Sequence, residues 1–247
     1  MTETAIIGGT GLSSLPNLEI TRRQVIQTPY GEPSGPLTRG HLAGKPVIFL
    51  ARHGYTHRIP PHQVNYRANI WALRELGVTH VIAIAAVGGI SPETQPSSLV
   101  IPDQIVDYTY GRAHTFFEGD LEAVRHIDFT YPYCETLRQI LLGSAQAHEL
   151  RVKPSGTYAA TPGPRLETAA EIDRLARDGC DVVGMTGMPE AALARELDLC
   201  YATCAVVANW AAGRGEGEIL MSEIDRHLKV GIKRAHTLLE ASVARLG

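Results

Sequence analysis

The sequence has no run of basic residues, no low-complexity tract and no internal repeat. No apolar stretch approaches the roughly 20 residues that a membrane helix needs. Its opening, MTETAIIGGTGL, lacks a positive n-region and is apolar over too short a stretch for a signal peptide. The net charge is −3, so nothing advertises nucleic acid or an anionic membrane as a partner. Small anions remain admissible, because a local pocket can be positive on a mildly acidic protein. Cysteine is scarce: Cys134, Cys180, Cys200 and Cys204 form no C-x-x-C pair and lie in mostly apolar surroundings. The expectation is buried thiols in a reducing cytoplasm and no disulfide framework.

What is present fits one globular unit spanning 1–247, with 44% hydrophobic and 20% charged residues. Short apolar runs at 5–7, 47–51, 80–86, 99–105, 182–185 and 201–208 alternate with helical patterns. Those patterns cover 64–76, 134–149, 167–177, 189–196 and 222–246, the last with Ser222 as N-cap. The alternation predicts a single α/β domain with a central mixed, largely parallel β-sheet flanked by helices.

Nearly every apolar run ends in a glycine or polar cluster: Gly8-Gly9-Thr10-Gly11, Arg52-His53-Gly54, Gly88-Gly89, Thr186-Gly187 and Asn209. A single cluster of this kind can be a plain turn. Several together predict a crevice at the carboxyl ends of the strands. Glycines let backbone N–H groups approach an oxyanion, and the Thr10 hydroxyl adds a donor. This is neither a dinucleotide fingerprint, since Ser14 stands where the third glycine belongs, nor a Walker loop, since G-K-[ST] is absent. Arg52 supplies a fork that matches phosphate, and His53 can donate to a further oxygen. His53 and His57 are four apart, but Gly54 and Pro60-Pro61 argue against the helix that would align them on a metal, so no metal is expected. G-x-S-x-G is missing and no cysteine has an obvious base. A reaction whose nucleophile is bound phosphate would need no covalent catalyst.

Together these segments resemble the trimeric purine nucleoside phosphorylase and methylthioadenosine phosphorylase family. IIGGTGL, TPYGEPS, FLARHG, HQVNYRANIWALRELG, IAAVGGI, TPGPRLETAAEI and MTGMPEAALARELDLCYA occur in family order over nearly the whole chain. The resemblance implies the nucleoside phosphorylase fold and phosphate binding by Thr10, Arg52, His53 and Thr186, with the backbone of Ala85 and Ala86. It places Met185 beneath the ribose and Leu166, Glu167 and Asn209 at the base. It gives His53, Glu167 and Asn209 the catalytic roles. His126 matches a residue donated across a subunit boundary, which implies a homotrimer with shared sites. No cofactor is implied; inorganic phosphate is a co-substrate.

Two departures bear on the substrate. The methylthioadenosine branch has T-D-x-D after the last strand, where this chain has Ala208-Asn209-Trp210-Ala211, and it tends to have serine where Glu167 stands. A carboxylate at 167 can accept N1–H of a 6-oxopurine, and Asn209 can donate to O6. Both substitutions imply hypoxanthine or guanine rather than adenine. At the sugar end, aligning DRHLK places Ile224 where inosine- and guanosine-cleaving relatives carry a histidine, and His57 also matches the methylthioadenosine branch. The substrate implied is S-methyl-5′-thioinosine, in purine salvage. The alternatives are an inosine/guanosine or methylthioadenosine phosphorylase, a nucleosidase that uses water, and a purine-binding protein without turnover.

Overall fold

The structure, a computed structural model, describes residues 3–119 and 123–246. The chain opens with β1 (Glu3–Gly8), β2 (Glu19–Gln24), β3 (Leu37–Leu42), β4 (Lys45–Ala51) and α1 (Tyr66–Glu75). It continues through β5 (Val78–Gly89), β6 (Leu99–Val100), β7 (Gln104–Asp107), α2 (Glu135–Ala147), β8 (Val152–Lys153) and β9 (Thr157–Ala160). It ends with α3 (Ala169–Arg177), β10 (Val182–Gly184), α4 (Gly187–Glu196), β11 (Cys200–Trp210) and α5 (Met221–Arg245). The strands join in one mixed sheet, with β1, β4, β5 and β11 mutually parallel at its centre. This is the α/β architecture that the alternation predicts. No described helix is long and apolar enough to cross a membrane.

Strand β5 shows why the core has two layers. Val81, Ala83, Ala85 and Val87 enter one buried cluster with Ile70 and Leu73 of α1 and Ala191 and Leu193 of α4. Ile82 and Ile84 enter the opposite cluster with Leu137 and Leu141 of α2 and Leu238 and Leu239 of α5. Alternate side chains of a strand face opposite sides, so an unbroken apolar run is what a strand covered on both faces requires. Local signals set the helix ends. Asn65 caps α1 by accepting from Ala68 N–H, and Thr168 with Glu171 forms a capping box on α3.

The edges of β5 create the functional geometry. Strand β11 follows one edge from His80 to Gly89. On the other edge, β1 runs parallel as far as Ala83, and β10 returns antiparallel against Gly88 and Gly89. β1 and β10 therefore approach each other head-on. Among the described residues, no strand covers that edge between Ala83 and Gly88. Both strands present their carboxyl ends to this gap.

Several sequence expectations need correction. The run 99–105 is two strands, β6 and β7, because Pro102 lacks a ladder donor at the break. Strand β5 continues through Gly88-Gly89, which are ladder residues and not a terminating turn. The N-cap of α5 is Leu220 without a side-chain bond, and Ser222 lies inside the helix. Most consequentially, Cys134 and Cys200 form a disulfide. Cys134 N–H donates to Tyr201 O at 2.8 Å, docking the start of α2 on the start of β11. Sequence spacing carries no sign of that meeting. Cys180 and Cys204 are free and buried, as expected.

Candidate active site

A cavity of about 320 Å³ opens at the gap in the β5 ladder. Its lining includes Thr10 after β1, Arg52 and His53 after β4, Ala85 and Ala86 of β5, and Met185 and Thr186 after β10. Leu166, Glu167, Asn209, Ala211, His57 and Ile224 complete the set. All the candidate residues converge there except His126, which is exposed and does not line this chain's cavity.

The inner end of the cavity is built around Arg52. Its backbone N–H donates to Gly8 O at 2.9 Å, joining the ends of β4 and β1. The guanidinium is 1% exposed and donates through Nε and Nη2 to both oxygens of Glu190, at 2.6 and 2.7 Å. Nη1 donates to Ile84 O, in the ladder gap, at 2.9 Å. Burial disfavours the Arg52 charge, but Glu190 overcomes this and raises its pKa above the ordinary value. Gly9 makes the approach possible: a Cβ there would stand 2.5 Å from Ile84 O and 2.9 Å from Arg52 Nη1. Alternation along β5 turns the Ala86 amide toward the same edge as Ile84 O.

His53 is buried, and its Nδ1 lies 2.8 Å from Ile59 O. A carbonyl only accepts, so Nδ1 carries the hydrogen. Burial, then the Arg52 charge, pushes the His53 pKa down to about 4. Near neutral pH the ring is uncharged and Nε2 is an acceptor. In the ligand-free protein the ring therefore keeps its one N–H on Ile59 O. The His57 ring lies 4.8 Å from that of His53, but among the described residues no group of three or more ligand-type side chains is arranged to hold a metal.

At the opposite end, β11 is irregular between Val207 and Asn209. Such bulges re-aim side chains, and Asn209 lines the cavity with one amide N–H held by Trp210 O at 2.7 Å. Thr161 Oγ1 donates to Glu167 Oε1 at 2.7 Å, which leaves Oε2 without that partner. Ala211 lies on the wall and also packs with Ile90, Ile172 and Val183. Ile224 contributes to the wall while resting against the apolar layer beneath α5.

Sequence reasoning missed three supporting residues. Glu190 reads as one more charge on a helix. Thr161 reads as part of a turn. Arg112 donates to Met185 O, Met188 O and Pro162 O at 2.8, 2.6 and 2.8 Å, bracing the loop after β10 against the loop that carries Glu167. Only the tertiary structure assembles these contacts.

The sequence profile described as the phosphorylase superfamily matches residues 3–244. The chain belongs to the phosphorylase superfamily. It is 54% identical, over 100% of its length and 98% of the relative's, to a probable S-methyl-5′-thioinosine phosphorylase of Pseudomonas syringae pv. tomato. It is 49% identical to a 6-oxopurine nucleoside phosphorylase of Pyrococcus furiosus, covering 91% of this chain and 85% of that one. Among solved structures, a methylthioadenosine phosphorylase from Schistosoma mansoni in complex with adenine superposes with a TM-score of 0.96 at 31% identity. That match covers 100% of this chain and 92% of the neighbour.

Proposed function

We propose that this phosphorylase cleaves S-methyl-5′-thioinosine with inorganic phosphate, releasing hypoxanthine and 5-methylthioribose 1-phosphate. The observation that carries the reading is one cavity with Arg52 at its inner end, Glu167 with Asn209 at a second end, and the apolar Ile224 on its wall. The first two sequence relatives described above point the same way.

Hydrogen phosphate would occupy the ladder gap, held by the remaining Arg52 donors, the hydroxyls of Thr10 and Thr186, and the Ala86 amide. It still carries one P–O–H, and neutral His53 Nε2 can accept that hydrogen. Holding phosphate and nucleoside together replaces a bimolecular encounter with a step inside one complex. A phosphate oxygen bonds to C1′ as the C1′–N9 bond breaks, and the bonding pair moves onto the purine. Phosphate loses its proton and the base gains one, so the reaction balances without a cofactor. Asn209 stabilises the purine near O6 and N7, while Glu167 accepts N1–H. Donors aimed at developing charge are typically worth about 10²–10³-fold each.

Ile224 favours a methylthio group over a 5′-hydroxyl, which an apolar wall would leave poorly paired. Inosine or guanosine cleavage is the second reading, since the base contacts serve those nucleosides equally. His126, exposed on this chain, is assigned to a neighbouring copy's site in a homotrimer.

The test is base release from methylthioinosine, methylthioadenosine, inosine and guanosine, each with and without phosphate. Fastest phosphate-dependent release from methylthioinosine supports the reading. Equal release without phosphate would overturn it in favour of a hydrolase.

A further inference from the structure

Arg52 and Glu190 are 138 residues apart in sequence and meet with both side chains buried. A guanidinium has five N–H donors in a rigid plane. Here Nε and one Nη2 hydrogen go to the Glu190 carboxylate, and one Nη1 hydrogen goes to Ile84 O. One hydrogen on each Nη remains. With the Cδ-side hydrogen of Nη1 on Ile84 O, those two lie along the end of the plane, spaced to meet two oxygens of a tetrahedral anion. We propose that Glu190 is a positioning residue for phosphate: it grips one edge of the Arg52 guanidinium so that the other edge faces the ladder gap.

Three features make this more than a buried ion pair. First, Arg52 lines the cavity whereas Glu190 does not, so only one member is placed to meet a ligand. Second, Glu190 is itself held: Tyr201 donates its hydroxyl to Oε1 at 2.8 Å, and Thr203 Oγ1 donates to the Tyr201 oxygen at 3.3 Å. Burial, and then the Glu190 charge, keeps Tyr201 protonated and therefore a donor. The grip thus runs from β11 through α4 to the end of β4. Third, the pair has no net charge and His53 is neutral. Affinity for phosphate then depends on aimed donors more than on bulk positive charge, and aim is what Glu190 supplies.

The inference deepens the phosphorolysis reading and rests on it. The experiment measures separate KM values for inorganic phosphate and for nucleoside in wild type, Glu190→Gln and Tyr201→Phe. Leu238→Ala, at a buried position of α5 that does not line the cavity, is the control for lost stability. Glu190→Gln is expected to raise the phosphate KM by about tenfold or more, with the nucleoside KM within about twofold of wild type. Tyr201→Phe should move the phosphate KM in the same direction by a few-fold. Leu238→Ala should lower the melting temperature and leave the phosphate KM in place. A folded Glu190→Gln enzyme with an unchanged phosphate KM overturns the inference. If that variant does not fold, an unchanged phosphate KM in Tyr201→Phe does so instead. Base release by wild type that ignores phosphate would defeat phosphorolysis itself; phosphate-dependent wild type with insensitive variants defeats only the role of Glu190.

Discussion

Thr161 donates its hydroxyl to Glu167 Oε1 at 2.7 Å, and Thr161 is itself buried. The bond fixes one carboxylate oxygen and thereby orients the other. Thr161→Val keeps the shape and removes the donor. A hydrogen bond to a charged group contributes about 1.5–3 kcal/mol, so preference for methylthioinosine over methylthioadenosine should fall by roughly tenfold. Thr161→Ser should retain the wild-type preference. The ratio of kcat/KM for the two substrates is the measurement, and an unchanged ratio in Thr161→Val would detach Glu167 from base selection.

Base preference should be convertible. Adenine has no N1–H and would set an acceptor against Glu167, and its 6-amino group would oppose the Asn209 amide. Each unsatisfied buried polar group costs about 1–3 kcal/mol, so wild type should favour the 6-oxopurine by orders of magnitude. Combining Glu167→Ser, Asn209→Asp and Ala211→Asp should shift preference toward methylthioadenosine. Ala211→Asp alone should lower the melting temperature, because its carboxylate would enter the contact with Ile90, Ile172 and Val183. Equal cleavage of both nucleosides by wild type would refute the 6-oxopurine assignment.

The convergence of these residues was largely legible beforehand, for a definite reason. Thr10, Arg52, Thr186 and Asn209 lie where apolar runs stop, and parallel strands bring such stops to one end of a sheet. Glu190 was not legible, because a glutamate in a helical pattern normally faces solvent, and its partner arrives from a distant strand. Strand β2 was equally hidden. Its residues Glu19–Gln24 are almost all exposed, so no apolar run announces an edge strand. The Cys134–Cys200 bond eluded the spacing rule because that rule describes local pairs, whereas α2 reaches β11 only after folding.

At the sugar end, Ile224→His should raise inosine cleavage relative to methylthioinosine. The side chain is only half-buried, so the protein should tolerate the change with a small loss of stability. Competition between the two nucleosides in one assay reads the selectivity directly. Unchanged selectivity would remove Ile224 from the 5′ pocket.

Acid should weaken the ligand-free protein through His53. Its folded pKa is about 4 against an ordinary 6.5, so between those values the native state binds fewer protons than the unfolded chain. Stability therefore rises with pH across that window, is fully present above it, and is lost as pH falls through it. The shift corresponds to roughly 3 kcal/mol at most. His80 and His236, both lowered by burial, act in the same direction. Urea midpoints in phosphate-free buffer should drop from neutral pH toward about pH 4.5, and less steeply in His53→Asn. Parallel slopes for the two proteins would exclude His53 as the source.

The disulfide makes a covalent ring of the chain from Cys134 to Cys200. Thr161, Glu167, Met185, Thr186 and Glu190 fall inside the ring, while Thr10, Arg52, His53 and Asn209 fall outside it. One wall of the cavity is thus closed on itself even in the denatured chain, and the other is free. By loop-closure reckoning, a ring of this size removes about 4 kcal/mol of denatured-state freedom. Opening it with dithiothreitol should shorten survival on heating while leaving substrate preference where it was, since no cavity side chain belongs to the bond. Oxidant and reductant would then set the working lifetime of the enzyme and leave its chemistry alone.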